Sequence, residues 1–267
     1  FISTGFNKWG YRKENIKDNF TNKNPRPLPS LKLSQLNKRV SLSDEENKIW
    51  KSTLLLLKFA LKNGCNRFIY ASTMSVYGNK PDRQISESDE CRPESFYGVA
   101  KLASEHYMRI SEKYGINTTS VRLFNVYGPG QDLSRADQGL VSIFLKLVKN
   151  NNYIGVKGSL DRFRDCVYID DVVQGWERCL LNSNFPNQVY NLGSGAKTYF
   201  SSLIDMLIEA YGKVGQVKVE EVEATPGDTV GCYADTTKIS SQLGYKPQFD
   251  IKSGVKLFKT WVEENQA

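Results

Sequence analysis

Histidine is almost missing from this 267-residue chain; His106 is the only one. With a single imidazole, the usual zinc sets and a Ser-His-Asp triad both lose support, because every candidate nucleophile would depend on the same base. His106 falls five residues after Lys101, on a different face of any helix there, and is read as structural. The five cysteines, Cys65, Cys91, Cys166, Cys179 and Cys232, include no C-x-x-C pair. Odd in number and widely spaced, they argue against a disulfide framework or a structural zinc, so no metal is expected and reduced thiols in or near the core are. No apolar run approaches the ~20 residues of a membrane span. The longest aliphatic run is Leu54 to Leu57, and no basic-then-apolar leader opens the chain, so a soluble cytoplasmic protein without membrane contact is expected.

Acidic residues are scarce at one end only. Residues 1 to 40 hold nine basic side chains against Glu14 and Asp18, which leaves the remaining 227 residues balanced at 27 against 27. A basic arm can contact nucleic acid. This one carries no nucleic-acid fold motif and is rich in Asn as well as Lys, so a solvated or loosely packed segment is the preferred reading.

What the chain does hold is an alternation of helix and strand signals. Ser43-Asp-Glu-Glu46 has the form of a capping box, the apolar stretch from Ile49 to Leu61 continues it, and Asn63-Gly64 ends it. Phe68-Ile-Tyr-Ala71 then reads as a buried parallel strand. The pattern recurs as helix 96–114 closed by Gly115, strand 118–123, helix 139–149, strand 166–169, helix 170–182 and strand 188–191. Beyond these come a helix at 201–211 stopped by Gly212, an alternating strand at Val217, Val219 and Val222, a short helix at 236–243 and an amphipathic helix from 251. Such alternation implies an α/β fold, doubly wound, with a mostly parallel sheet covered on both faces.

One constellation carries chemistry. Tyr97 and Lys101 stand four apart, so on a helix they share a face and the ammonium lies near the phenol. A nearby cation favours phenolate, which is expected to lower the pKa of Tyr97 and make it an acid/base near neutral pH. Thr73, at the carboxyl end of the first strand, can offer a hydroxyl to the same substrate oxygen.

Four segments accompany that constellation: Arg67-Phe-Ile-Tyr-Ala-Ser-Thr-Met-Ser-Val-Tyr-Gly78, Ser95-Phe-Tyr-Gly-Val-Ala-Lys-Leu-Ala-Ser-Glu105, Arg122-Leu-Phe-Asn-Val-Tyr-Gly-Pro-Gly-Gln131 and Arg164-Asp-Cys-Val-Tyr-Ile-Asp-Asp-Val-Val173. In this order and at these separations they resemble the extended short-chain dehydrogenase/reductases, specifically the NAD-dependent nucleotide-sugar epimerase/dehydratase family. The resemblance runs from about Ser43 to the C-terminus. It implies a Rossmann-like core over 43–195 with substrate-lobe insertions, a mainly C-terminal substrate lobe over 196–267, and an atypical basic segment over 1–42.

It also implies roles. Tyr97 would move a proton to or from a sugar hydroxyl while hydride passes to or from NAD, Lys101 would hold the nicotinamide ribose, and Thr73 would bond the same sugar oxygen. Ala71 and Ser72 would pass the nicotinamide, and Met74 and Ser75 would border the substrate. Asn125 and Arg164 would meet the diphosphate, for which an arginine fork is chemically apt, with Arg162 on the same side of an extended segment. The structural alternative for Arg164 is an ion pair with Asp161 or Asp165. A homodimer through the Tyr97 helix and its neighbour is a further expectation.

Three departures from the family pattern shape the reading. Thr225 stands before Pro226-Gly227-Asp228 where the family often has Arg, and Ile49 stands where an Asn is common. Thr73-Met74-Ser75 replaces the Thr-Asp-Glu with which 4,6-dehydratases eliminate water, and Ser75 stands where decarboxylases carry Glu. That leaves an NAD-dependent epimerase acting through a transient keto intermediate, in polysaccharide or glycoconjugate synthesis, with a nucleotide-sugar reductase as an alternative.

The glycine-rich fingerprint for a dinucleotide is missing. No strand is expected before Gly5 or Gly10, and Pro25, Pro27 and Pro29 exclude a central strand or helix interior there. The chain is therefore read as a piece of a longer protein, a naturally shortened relative, or a chain with stretches left out. A non-catalytic relative that has lost NAD binding is the competing reading, and the sheet is expected to have an unprotected edge.

Overall fold

A computed structural model of the chain describes residues 2–3, 44–134, 139–182, 187–223 and 230–265. Most of the basic arm, Gly5, Gly10, the three prolines, the capping residue Ser43 and the Thr225–Asp228 segment lie outside the described residues. The strands are β1 (Ile2–Ser3), β2 (Arg67–Thr73), β3 (Gln84–Ile85), β4 (Asn117–Leu123), β5 (Asn125–Tyr127), β6 (Tyr153–Lys157), β7 (Phe163–Arg164), β8 (Cys166–Tyr168), β9 (Gln188–Leu192), β10 (Thr198–Tyr199), β11 (Lys218–Val222) and β12 (Tyr233–Ala234). The helices are α1 (Asp44–Lys62), α2 (Phe96–Ser111), α3 (Leu140–Asn150), α4 (Ile169–Leu181), α5 (Phe200–Ala210), α6 (Thr237–Leu243) and α7 (Ile251–Asn265). Among them no helix is long and apolar enough to cross a membrane.

The main sheet is parallel, in the order β1-β2-β4-β9. Strand β2 is buried over six of its seven residues, and alternate side chains serve opposite faces. Phe68 and Tyr70 share a core with Leu57 and Ala60 of α1 and Met108 of α2. Ile69 packs instead with Val121, Tyr190 and Leu192 of the sheet and with Val172, Cys179, Ile239 and Leu243 of α4 and α6. Helices therefore cover both faces, as a Rossmann-like fold requires. A third core joins α3, β6, α5 and α7 through Phe144, Val148, Ile154, Leu203, Leu207 and Phe258. Each such buried side chain contributes roughly 1.5–3 kcal/mol.

One expectation is corrected. Ile2–Ser3 does form a strand, parallel to β2, with Ile2 opposite Ile69 and Ser3 opposite Tyr70. A two-residue strand is too short for any periodicity to reveal, yet it satisfies backbone groups that β2 would otherwise present at an edge. At the far edge, side chains do this work: Lys238 Nζ donates to Val189 O at 2.9 Å, and Asn191 N donates to Glu87 Oε1 at 2.7 Å. The sheets also include one antiparallel pair, β7 with β10, which sets Arg164 opposite Thr198. All five cysteines are free thiols, three buried and two half-buried.

Candidate active site

Strand β2 ends at Thr73, directly opposite Leu123 at the end of β4. Ligands of open parallel sheets bind outside these carboxyl ends. Thr73 caps a single turn of 3-10 helix, Met74–Val76, its Oγ1 accepting from Ser75 N at 3.2 Å and donating to Ser75 Oγ at 3.2 Å. Ser95 caps α2 in the same way, accepting from Gly98 N at 3.0 Å. Gly98 is the residue that lets these two starts meet. A Cβ there would lie 2.6 Å from Ser75 O and 2.9 Å from Pro93 Cβ, so any side chain would push the helix off the turn.

The close approach brings the Tyr97 hydroxyl into the neighbourhood of the Thr73 hydroxyl. One turn on, Lys101 is 5% exposed, and its Nζ donates to Ala71 O at 2.7 Å. The ammonium lies 5.0 Å from the Tyr70 ring centroid and 5.6 Å from that of Tyr97. Ala71, Ser72, Thr73, Met74, Ser75, Tyr97 and Lys101 thus come together at one strand end.

The electrostatics differ from the expectation at Tyr97. Burial pushes the phenol up, with the Thr73 hydroxyl pulling the other way, so phenolate is disfavoured. The residue as a whole is 41% exposed; the desolvation concerns its hydroxyl end. Lys101 does not lower it, because the ammonium sits over ring faces and on a carbonyl instead of at the phenol oxygen. Desolvation brings Lys101 itself down to about 8, with Glu105 opposing.

Beneath these residues runs a buried polar network that sequence reasoning missed. Arg122 of β4 donates through Nε to Glu105 Oε1 at 3.0 Å and through Nη2 to Glu105 Oε2 at 2.7 Å. Its Nη1 donates to Tyr77 OH at 3.0 Å, and Tyr77 OH donates to Asn191 Oδ1 at 2.6 Å. Ser72 Oγ donates to Glu105 Oε1. The available signal was an arginine inside the apolar strand Val121-Arg122-Leu123, a charge that burial obliges to find a partner.

A cleft of about 200 Å³ opens beside the strand end, lined by Met74, Ser75, Lys80, Glu94, Gly231 and Cys232 among others. Asn125 lies two residues past the end of β4, its N–H donating to Asp165 O at 2.9 Å. Its Oδ1 is buried without a hydrogen-bond partner among the described residues, as a group awaiting a ligand would be. Arg164 lies beside the 230–234 segment that borders the cleft, with Nη1 donating to Phe163 O at 2.7 Å and Val230 O at 3.4 Å. No contact between Arg164 and the Tyr97 group is described.

Arg162 and Arg164 both lie over the Phe200 ring, 4.7 and 5.5 Å from its centroid. Asp165 does not pair with either. Its fully buried carboxylate accepts from Ser194 N at 2.7 Å, Gly195 N at 3.0 Å and Ala234 N at 3.0 Å, which ties the 194–195 segment to β12. His106 is exposed and borders a second hollow of about 350 Å³, which Glu105 and Arg122 also line.

Residues 37–193 match the model of the NAD dependent epimerase/dehydratase family. The chain is similar to a putative UDP-glucose 4-epimerase of Methanocaldococcus jannaschii, 31% identical over 216 residues that cover 80% of this chain and 68% of that protein. Among solved structures it is similar to UDP-glucose 4-epimerase of Thermotoga maritima with UDP-glucose, at a TM-score of 0.78 and 28% identity over 90% of this chain and 77% of that one. It is also similar to UDP-glucuronic acid 4-epimerase of Bacillus cereus in complex with UDP-glucuronic acid and NAD, at a TM-score of 0.74 and 29% identity over 81% and 67%.

Proposed function

The chain belongs to the NAD-dependent epimerase/dehydratase family, and from that premise we propose that it is an epimerase of a nucleotide-activated sugar, working through a transient keto intermediate. The observation that carries this reading is the convergence of Thr73, Tyr97 and Lys101 at the end of β2, with Met74 and Ser75, not two carboxylates, following Thr73. An elimination of water needs an acid and a base at the departing hydroxyl. Met74 supplies neither.

The residues fit the nicotinamide end of NAD. Lys101 is a three-donor ammonium, and among the described residues only Ala71 O is seen to accept from it, so its donor set suits ribose hydroxyls. Ala71 and Ser72 form the strand end beside it. The glycine-rich turn that would cradle the pyrophosphate is missing from the sequence. When bound, NAD would supply a hydride acceptor and a positive charge. Tyr97, protonated as it stands, gives its proton to a sugar oxygen or, once a cation lowers its pKa, takes one. Thr73 Oγ1 exchanges its long 3.2 Å bond to Ser75 for one to that oxygen. Asn125 and Arg164 hold the diphosphate, the Asn125 amide offering both a donor and an acceptor.

The test begins with mass spectrometry of the native protein for released NAD, followed by proton NMR of UDP-glucose and UDP-glucuronic acid incubated with it. A second set of anomeric signals from the C4 epimer is expected. A 4-keto-6-deoxy product, or bound NAD with no epimer from any nucleotide sugar tried, overturns the reading. Such an activity belongs to the cytoplasm and to polysaccharide or glycoconjugate synthesis.

The same reading includes a homodimer. Helices α1 and α2 lie side by side and expose Leu55 (66%) and Phe59 (51%) on one, Phe96 (49%), Val99 (51%) and Ile110 (47%) on the other. On each helix these positions recur at helical spacing. Sedimentation velocity is expected to give twice the mass of the chain, and Leu55→Glu with Phe59→Glu to halve it. A monomeric parent removes this part of the proposal.

A further inference from the structure

We propose that Glu105 is a positioning residue for Lys101: buried one helical turn beyond it, Glu105 keeps the ammonium charged and, through Ser72, fixes the strand end whose Ala71 carbonyl holds the lysine. The inference rests on the epimerase reading for its functional meaning, and on the geometry alone for its physical content.

Lys101 and Glu105 are four apart on α2 and are 5% and 7% exposed, so a charge on either is felt through protein instead of water. Of the groups that face Lys101, Tyr70 comes from β2 and Tyr97 from α2, both neutral phenols raised by burial. Thr73 contributes only a hydroxyl. Glu105 is the one anion among the described residues that acts on Lys101, and it favours the ammonium. Arg122, the other nearby cation, is tied to that carboxylate by two hydrogen bonds.

The mechanical link is as direct. Ser72 donates to Glu105 Oε1, and the next residue back, Ala71, supplies the carbonyl that accepts Lys101 Nζ at 2.7 Å. The strand end that holds the lysine is thus itself anchored to the Glu105 carboxylate. Arg122 in turn fixes both oxygens of Glu105, which gives the buried pair a use beyond stability. Without Glu105, desolvation acts on Lys101 unopposed. Its titration midpoint, near 8 with Glu105 present, then falls toward neutrality or below it, so at pH 7.5 the lysine loses much of its charge.

The test reads Lys101 itself. In protein labelled with carbon-13 lysine and free of added cofactor, the Lys101 ε-carbon signal, identified by its loss in Lys101→Arg, is followed against pH. Glu105→Gln is expected to lower the midpoint by about 1–3 units. Because that variant leaves Arg122 buried without its partner, Glu105→Leu combined with Arg122→Met removes the pair without an orphan charge, and a fall in the same direction is expected there, smaller because the Arg122 charge leaves as well. In the active enzyme, the alkaline limb of kcat/KM is expected to move down by the same interval. Ser72→Ala, which keeps the charge, is expected to leave the midpoint in place and lower kcat.

An unchanged midpoint in whichever of the two charge-removing variants folds overturns the inference. Wild-type protein that turns over no nucleotide sugar refutes the proposed function instead, while the carbon-13 titration still decides the role of Glu105.

Discussion

Tyr97→Phe is expected to lower kcat by about 10²–10⁴-fold, the range for loss of a positioned proton donor or acceptor. Only the hydroxyl disappears. The ring stays on the same face of α2, capped by Ser95 and held against Met74–Val76 by the close approach of Gly98. The stability cost is at most that of one polar contact, with the Thr73 hydroxyl, or about 1 kcal/mol. Urea unfolding and the amount of NAD carried by the protein should therefore match the parent. The comparison is informative because the two readings of the chain diverge here. In an epimerase the epimer signal collapses while the fold persists. In a non-catalytic relative there is no turnover to lose, and nothing measurable changes. Full turnover in Tyr97→Phe would remove this residue from the chemistry.

Arg122→Met is expected to be the most damaging single change to stability, at about 3–5 kcal/mol, the cost of leaving a buried charge without its partner. Glu105 would keep the Ser72 hydrogen bond but lose both bonds from the guanidinium, and Tyr77 would lose the donor at 3.0 Å. The loss is not local, since Tyr77 passes to Asn191 and Asn191 to Ile85 O at 2.7 Å, so one side chain links β4, α2, the Tyr77 turn and β9. Chemical denaturation of Arg122→Met against Glu105→Leu/Arg122→Met reads the effect: the double variant should recover most of the stability, because apolar side chains of similar size need no partner. Equal stability of Arg122→Met and the parent would show that the network is wet in solution and its charges solvated.

The helix and strand elements were legible along most of the described chain, and each for a local reason. Asn63-Gly64, Gly115 and Gly212 mark chain reversals because glycine accepts positive φ, and all three glycines adopt it, at +65°, +90° and +65°. Phe68-Ile-Tyr-Ala71 reads as strand because a strand buried on both faces is apolar throughout. The four-residue spacing of Tyr97 and Lys101 fixed their common helix face before any packing was known.

Partners distant in the chain were not legible. Glu105 and Arg122 are 17 residues apart and meet only because α2 lies across β4; Asp165 finds its three amide donors at Ser194, Gly195 and, in β12, Ala234, which are 29, 30 and 69 residues away. The direction of the Tyr97 shift was misread for the same reason. Spacing states that a cation is near, but a pKa depends on how much water remains around the hydroxyl and on which atoms the ammonium approaches, and both are properties of packing. Local stereochemistry and periodicity, set by the order of residues alone, determined the elements and the helix face that Tyr97 and Lys101 share. Burial and long-range pairing, which exist only once the chain has folded, decided the electrostatics of that face and brought Glu105 to Ser72 and Arg122.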